Sequence, residues 1–215
     1  MANYENGVFT RQAIIRSCKK LFLEKGYHET IYADICNDAH VNRTTVYYHF
    51  KDKEQMRYEV QWECTMDLKH IAERYCDKEE YHFLLTAYLL WYKIKEDENF
   101  RRFQYSHCID YPLISNRDNF HYFYINICKN MWQPFFDISQ ISDLAFASFY
   151  GYIICCIRML CEHPEKYEAM EIFEMCVNSC IFVWGISQDT VAGIWADVKH
   201  YISLIPEEEI QLQLP

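Results

Sequence analysis

The segment Asn42-Arg43-Thr44-Thr45-Val46-Tyr47-Tyr48-His49 carries hydrogen-bonding side chains at every position but Val46. In that company each type has a plain chemistry toward DNA. An arginine fork takes the paired acceptors of a guanine edge, and threonines reach base edges or thymine methyls. Tyrosine and histidine suit phosphate and sugar contacts, which position rather than specify. On this reading Arg43, Thr44 and Thr45 face bases, Tyr48 and His49 face the backbone, and Val46 and Phe50 turn inward. Lys53 follows at a helix start, where N–H groups and the helix dipole already favour an anion such as phosphate. Thr30, read as the cap of the preceding helix, is expected to do likewise. Any of these alone reads equally well as a solvated surface residue.

A face of this kind needs elements that hold it at an angle. Ala13, Ile14, Cys18, Leu21 and Phe22 recur at helical spacing, predicting a first helix from Thr10 to about Lys25 with Gly26 as its stop. Thr30 opens a short second helix with Ile31, Ile35 and Ala39 on one side, and Asn42 caps a third that runs through Tyr48. Two short helices joined by the turn Ala39-His40-Val41 and packed on the first have the layout of a helix-turn-helix. A major groove about 12 Å wide accepts one such helix while its predecessor crosses the backbone. Asp52-Lys53-Glu54-Gln55 reads as a capping box opening a long fourth helix with the stripe Met56, Val60, Cys64, Leu68, Ile71 and Tyr75. Further helices are predicted near 79–96, 98–110, 117–137, 141–162, 166–186 and 190–204, and the tail from Pro206 to Pro215 is expected to fray.

Composition agrees with an all-α chain of about nine to ten helices: 215 residues, 51% hydrophobic, and only 5 Gly and 5 Pro. Charge divides it. Residues 1–60 hold 9 Lys/Arg against 8 Asp/Glu, whereas the rest hold 12 against 23, so a near-neutral head is joined to an acidic body. A polyanion would be repelled by the body and admitted only at the head. The N-terminus has no basic and apolar leader pattern. The uncharged run between Asp143 and Arg158 is fourteen residues, short of the roughly 20 a membrane helix needs. A cytoplasmic protein without membrane partners is therefore expected, and its 11 cysteines read mainly as small buried hydrophobes, with a thiol switch as the alternative.

The stretch Thr30-Ile31-x-x-Asp34-Ile35-Cys36-x-x-Ala39-x-Val41-x-Arg43-x-Thr45-Val46-Tyr47-Tyr48-His49-Phe50-x-x-Lys53-Glu54-x-Met56 resembles the DNA-binding head of the TetR family of transcriptional regulators. The resemblance spans about residues 8–60. One position departs from the pattern: the turn commonly carries Gly where this chain has His40. A left-handed backbone there costs a residue with a Cβ about 1–2 kcal/mol, less for His than for most, so His40 is tolerated. The resemblance implies DNA contacts at Thr30, Asn42, Arg43, Thr44, Thr45, Tyr48, His49 and Lys53, with Tyr47 packing and hydrogen-bonding near the backbone. It also implies a helix-turn-helix domain over 1–53 and a helical ligand-binding and dimerisation domain over 54–205. The function it implies is a regulator, most often a repressor, that binds a palindromic double-stranded DNA operator as a homodimer and is released by a small lipophilic or aromatic effector.

For the dimer, the apolar segments 144–160 and 167–186 offer Phe149, Tyr150, Ile153, Ile157, Phe173, Cys180 and Trp184, with Gly151 permitting close approach. For the effector, residues 81–136 hold 16 aromatic residues, among them Trp91, Tyr92, Phe103, Tyr105, Phe120, Tyr124 and Trp132, interleaved with His107 and His121. Aromatic walls with a few polar tips suit a flat or cationic lipophile, though aromatics also simply fill cores. Other classes stay open. A protein partner could replace the effector, or the head could serve protein contact. Acid-x-x-His pairs at Asp67/His70, Glu79/His82, Asp118/His121 and Asp197/His200 faintly resemble a di-iron bundle. No G-x-S-x-G, P-loop or zinc-finger spacing occurs, so neither an enzyme, a metal nor a cofactor is expected.

Overall fold

A computed structural model describes residues 2–110, 132–139 and 141–211, apart from the side chains of 2–6, 107–110, 143 and 146. Every regular element among them is helical: α1 (Ala2–Glu24), α2 (Tyr32–Asp38), α3 (Arg43–His49), α4 (Lys53–Tyr75), α5 (His82–Glu96), α6 (Glu98–Asp110), α7 (Asp143–Glu162), α8 (Ala169–Trp184) and α9 (Gln188–Ser203), with single 3-10 turns at Glu79–Tyr81 and Glu207–Glu209. Two compact units divide between Asp67 and Leu68, inside α4.

In the first unit α1 begins eight residues before the expected Thr10. Its added turns expose Val8 and Phe9; once a helix is nucleated, extension needs no buried stripe. Gly26, at φ 108°, stops it, a backbone that glycine alone adopts cheaply. The core is built from Ile14, Cys18 and Phe22 of α1, Ile35 of α2, Val46 of α3, Phe50, and Met56, Val60 and Cys64 of α4, all essentially sealed from solvent. Two ion pairs tie α1 to α4: Lys19 to Asp67 at 2.6 Å, almost wholly buried on the lysine side, and Arg11 to Glu59.

Local chemistry fixes the short helices. Asn42 Oδ1 accepts from the Thr45 N–H at 2.8 Å and caps α3. Asp52 Oδ1 accepts from the Gln55 N–H at 2.8 Å, and Gln55 Oε1 accepts from Lys51 N–H at 2.8 Å, so the capping box reaches back one residue further than its usual form. His40 does take the left-handed backbone, at φ 53°. Thr30 does not cap α2. Ile31 holds that position, and Asp34 reaches back to accept from its N–H at 2.9 Å.

The second unit is a helical bundle in which α5 touches α6, α7, α8 and α9, while α7 packs on α6 and α8. Leu84, Leu85, Leu89, Ile94, Phe100, Phe103, Phe149, Leu160, Val177, Val191 and Val198 fill it. Ser142 and Ser187 cap α7 and α9, and Gly185 at φ 68° ends α8. The start of the predicted frayed tail is packed instead: Ile210 is buried and Glu209 pairs with Arg74 at 3.0 Å. Most of the helix expected at 117–137 lies outside the described residues, and near its end 133–136 is turn and bend. No described helix is long and apolar enough to cross a membrane.

Candidate nucleic-acid interface

Helix α3 divides its residues as the groove requires. Val46 is fully buried against the head core and Phe50, just past the helix, is 1% exposed under the Arg11 guanidinium at 4.8 Å. Asn42, Arg43, Thr44, Tyr47 and Tyr48 are exposed, Tyr48 at 84%, and Thr45 and His49 are half-exposed. One seven-residue helix thus offers a continuous polar and aromatic face, and the core holds it from behind. Asn42 and Thr45 are coupled, because the Asn42 carboxamide also accepts from the Thr45 hydroxyl at 3.1 Å. In this state Thr45 Oγ1 is spent on the cap, leaving its methyl group as the part most available to a base.

Arg43 donates through Nε and Nη2 to the Tyr47 hydroxyl at 3.2 and 2.8 Å. Tyr47 therefore supports the arginine from within α3. Lys53 stands at the first residue of α4, its ammonium 4.3 Å from the Tyr27 ring centroid. The buried Arg57 guanidinium lies 4.5 Å from the same centroid. Two cations thus share one ring at the α4 N-terminus, where the helix dipole favours an anion, and Glu54 lies 3.9 Å from Arg57. Around α2 the carboxylates are turned to structure. A hydrogen bond from Lys25 and the Ile31 N–H hold Asp34 below its usual pKa, and hydrogen bonds from Lys20 and Ser17 do the same for Asp38.

Thr30 stands apart from the other expected contacts. It is 0% exposed, and its hydroxyl donates to the Gly26 carbonyl at 2.7 Å, so it braces the turn after α1 and does not reach a phosphate. Conversely, sequence reasoning missed Tyr27 and Tyr32, the rings beneath Lys53 and Arg43. No spacing rule marks them, since each acts through a neighbour on another element.

A short helix capped into place, with an outward hydrogen-bonding face and a cationic helix start beside it, defines a helix-turn-helix head of the DNA-binding kind. Residues 14–60 match the family model described as bacterial regulatory proteins, tetR family. Over those residues the head is similar to that family. The fold of the whole agrees: TylP, a tetR regulator from Streptomyces fradiae, superposes with a TM-score of 0.52 at 13% identity over 92% of this chain and 93% of that one. A putative tetR family regulator from Shewanella sp. PV-4 gives a TM-score of 0.48 at 18% identity over 82% of this chain and 96% of its own. No curated protein is significantly similar in sequence.

The body residues divide between the core and its surface. Trp91 and Phe103 are core residues, Trp91 edge-on to Phe173 at 5.6 Å, while Tyr92 and Tyr105 are half-buried, Tyr105 donating to Glu162 at 3.2 Å. Trp132 stacks on Phe136 at 5.7 Å and meets Phe149 and Trp184 edge-on. Its indole N–H is buried, and among the described residues nothing accepts from it. Phe120, His121 and Tyr124, like the His107 side chain, lie outside the described residues. Of the dimer candidates, Phe149, Tyr150, Ile157, Phe173 and Cys180 are buried in the subunit's own core, and Ile153 and Trp184 are half-buried. The outward apolar side chains of α7 and α8 are others: Leu144 (77% exposed), Met159, Met175 and Phe182 (88%). Among the acid-x-x-His pairs, Asp67 is bound to Lys19 and Asp197 to Tyr81 and Lys78, and no described cluster of three metal-ligating residues exists.

Proposed function

We propose that this regulator is a repressor that binds a palindromic operator as a homodimer, each subunit laying α3 in the major groove, and that a small apolar effector in the body releases it. The observation that carries the DNA half is the partition of α3, with Val46 and Phe50 buried and Arg43, Thr44 and Tyr48 outward. One seven-residue helix reads too few bases for a unique site, and two-fold pairing doubles the reading with half-sites about 34–36 Å apart.

For the dimer, the supporting feature is the outer face of α7 and α8. Leu144 and Met159 fall on one stripe of α7, and Met175 and Phe182 on one stripe of α8. Four large side chains exposed on neighbouring helices are what a second copy would cover. For the effector, support comes from a 470 Å³ groove lined by Gln133, Phe135, Phe136, Asp137 and Ile138, one of whose rings, Phe136, stacks on the buried Trp132. Aromatic walls with a few polar tips suit a small apolar molecule. Ligand and operator then oppose each other by a shared coupling free energy.

Selecting bound duplexes from a random DNA pool tests the reading. A two-fold symmetric consensus is the expected result; failure to enrich any duplex, or an asymmetric single half-site, would refute operator binding or the dimer respectively.

A further inference from the structure

Arg43 is not a loose side chain swung into solvent. Besides the two hydrogen bonds from Nε and Nη2 to Tyr47, its guanidinium carbon lies 5.2 Å from the Tyr32 ring centroid and 5.4 Å from that of Tyr47. The two rings are themselves in contact, 5.1 Å apart and tilted by 37°. Tyr32 is the first helical residue of α2, so the platform spans both helices of the motif. Burial raises the Tyr32 phenol pKa.

A guanidinium offers paired N–H donors along two edges, Nε with one Nη and the two Nη together. Tyr47 takes the first edge. The second is the one left for the adjacent N7 and O6 acceptors of guanine, which present that paired pattern in the major groove. The Tyr47 hydroxyl, having accepted twice, still has its own proton for a phosphate oxygen. We propose that Tyr32 and Tyr47 form a clamp that pre-sets Arg43 for an end-on approach to a single guanine, with Tyr32 a positioning residue acting only through the arginine. Holding the fork in one orientation before DNA arrives reduces the ordering cost on binding and ties base preference to the packing of α2 on α3. This rests on the DNA-binding reading above and adds to it the identity and posture of the base-reading group.

The test uses the full chain and a panel of duplexes carrying each base at every position of the selected site. Arg43→Ala identifies the guanine by flattening preference at one position. Tyr32→Leu is then expected to reduce preference at that same position by about 2- to 5-fold, the size of an exposed cation–π contact. The slope of affinity against salt should stay unchanged, and Tyr32→Phe, which keeps the ring, should restore the preference. Tyr47→Phe, at an exposed position where folding is not at stake, should relax the same base by removing the acceptor. Equal weakening of all duplexes by Tyr32→Leu, or unaltered preference in Tyr47→Phe, would overturn the clamp while leaving DNA binding intact. A wild-type chain that binds no duplex would instead remove the reading on which the clamp stands.

Discussion

Replacing Thr30 with valine separates two roles that the residue type alone allows. The side chain is fully buried, and its hydroxyl donates to the Gly26 carbonyl at 2.7 Å. That carbonyl also accepts the Thr30 N–H at 3.1 Å, so deleting the hydroxyl does not strand it. Valine fills the same space, which removes any cavity contribution. What is lost is one hydroxyl proton shared between the Gly26 carbonyl and, at 3.3 Å, the Leu21 carbonyl in a dry site, a destabilisation of about 1 kcal/mol. For a chain of this size that corresponds to about 2–4 °C in Tm. Denaturant titration measures the loss, and operator affinity at several salt concentrations measures the contact count. The slope of log affinity against log salt should match the wild type, because no phosphate partner is removed. Unchanged stability together with a slope reduced by about 1 would show that Thr30 holds a phosphate, and the buried-brace account would be wrong.

Four other outcomes follow from the same structure. Asn42→Ala deletes the α3 cap and should cost about 1 kcal/mol by denaturant titration, with operator affinity falling alongside it. Lys53→Ala should weaken all duplexes alike and lower the salt slope by about 1, which salt titrations on unrelated sequences would check. Burial pushes the Cys64 thiol up to about 12 and raises Cys18 further, so a thiol reagent at pH 8 should label exposed Cys155 while leaving those two untouched until unfolding; mass mapping of labelled peptides reads this out. Asp34, Asp38 and Asp197 have folded pKa values below their unfolded value of 3.8. Their stabilisation is therefore complete above about pH 4 and lost as pH falls below it, which denaturation midpoints between pH 7 and pH 3 should follow.

The reading face of α3 was legible because Val46 is the lone apolar residue among polar neighbours, so its phase on the helix had one solution. Asn42 and Asp52 were legible as caps because their carboxylate or amide oxygens sit two or three residues before unmet N–H groups. Thr30 was misread since threonine caps helices and braces turns with the same atom, and the Gly26 carbonyl that decides between them comes from the backbone. The outward side of the two apolar segments was hidden for a different reason. Segments 144–160 and 167–186 are apolar nearly all round, so periodicity gives them no inward side, and Phe182 at 88% exposure could not be told from Phe173 at 2%. Tyr32 lay beyond reach because its role exists only where α2 meets α3.

In the proposed complex α3 occupies the major groove twice on one duplex. Guanine N7 lies in that groove, so methylating it beforehand and separating bound from unbound duplex reports on that placement. Interference at guanines in two patches about one helical turn apart, on one face of the duplex and lost at one position of each patch in Arg43→Ala, is the expected result. Binding indifferent to N7 methylation, or blocked only by methyl groups at minor-groove adenine N3, would contradict it.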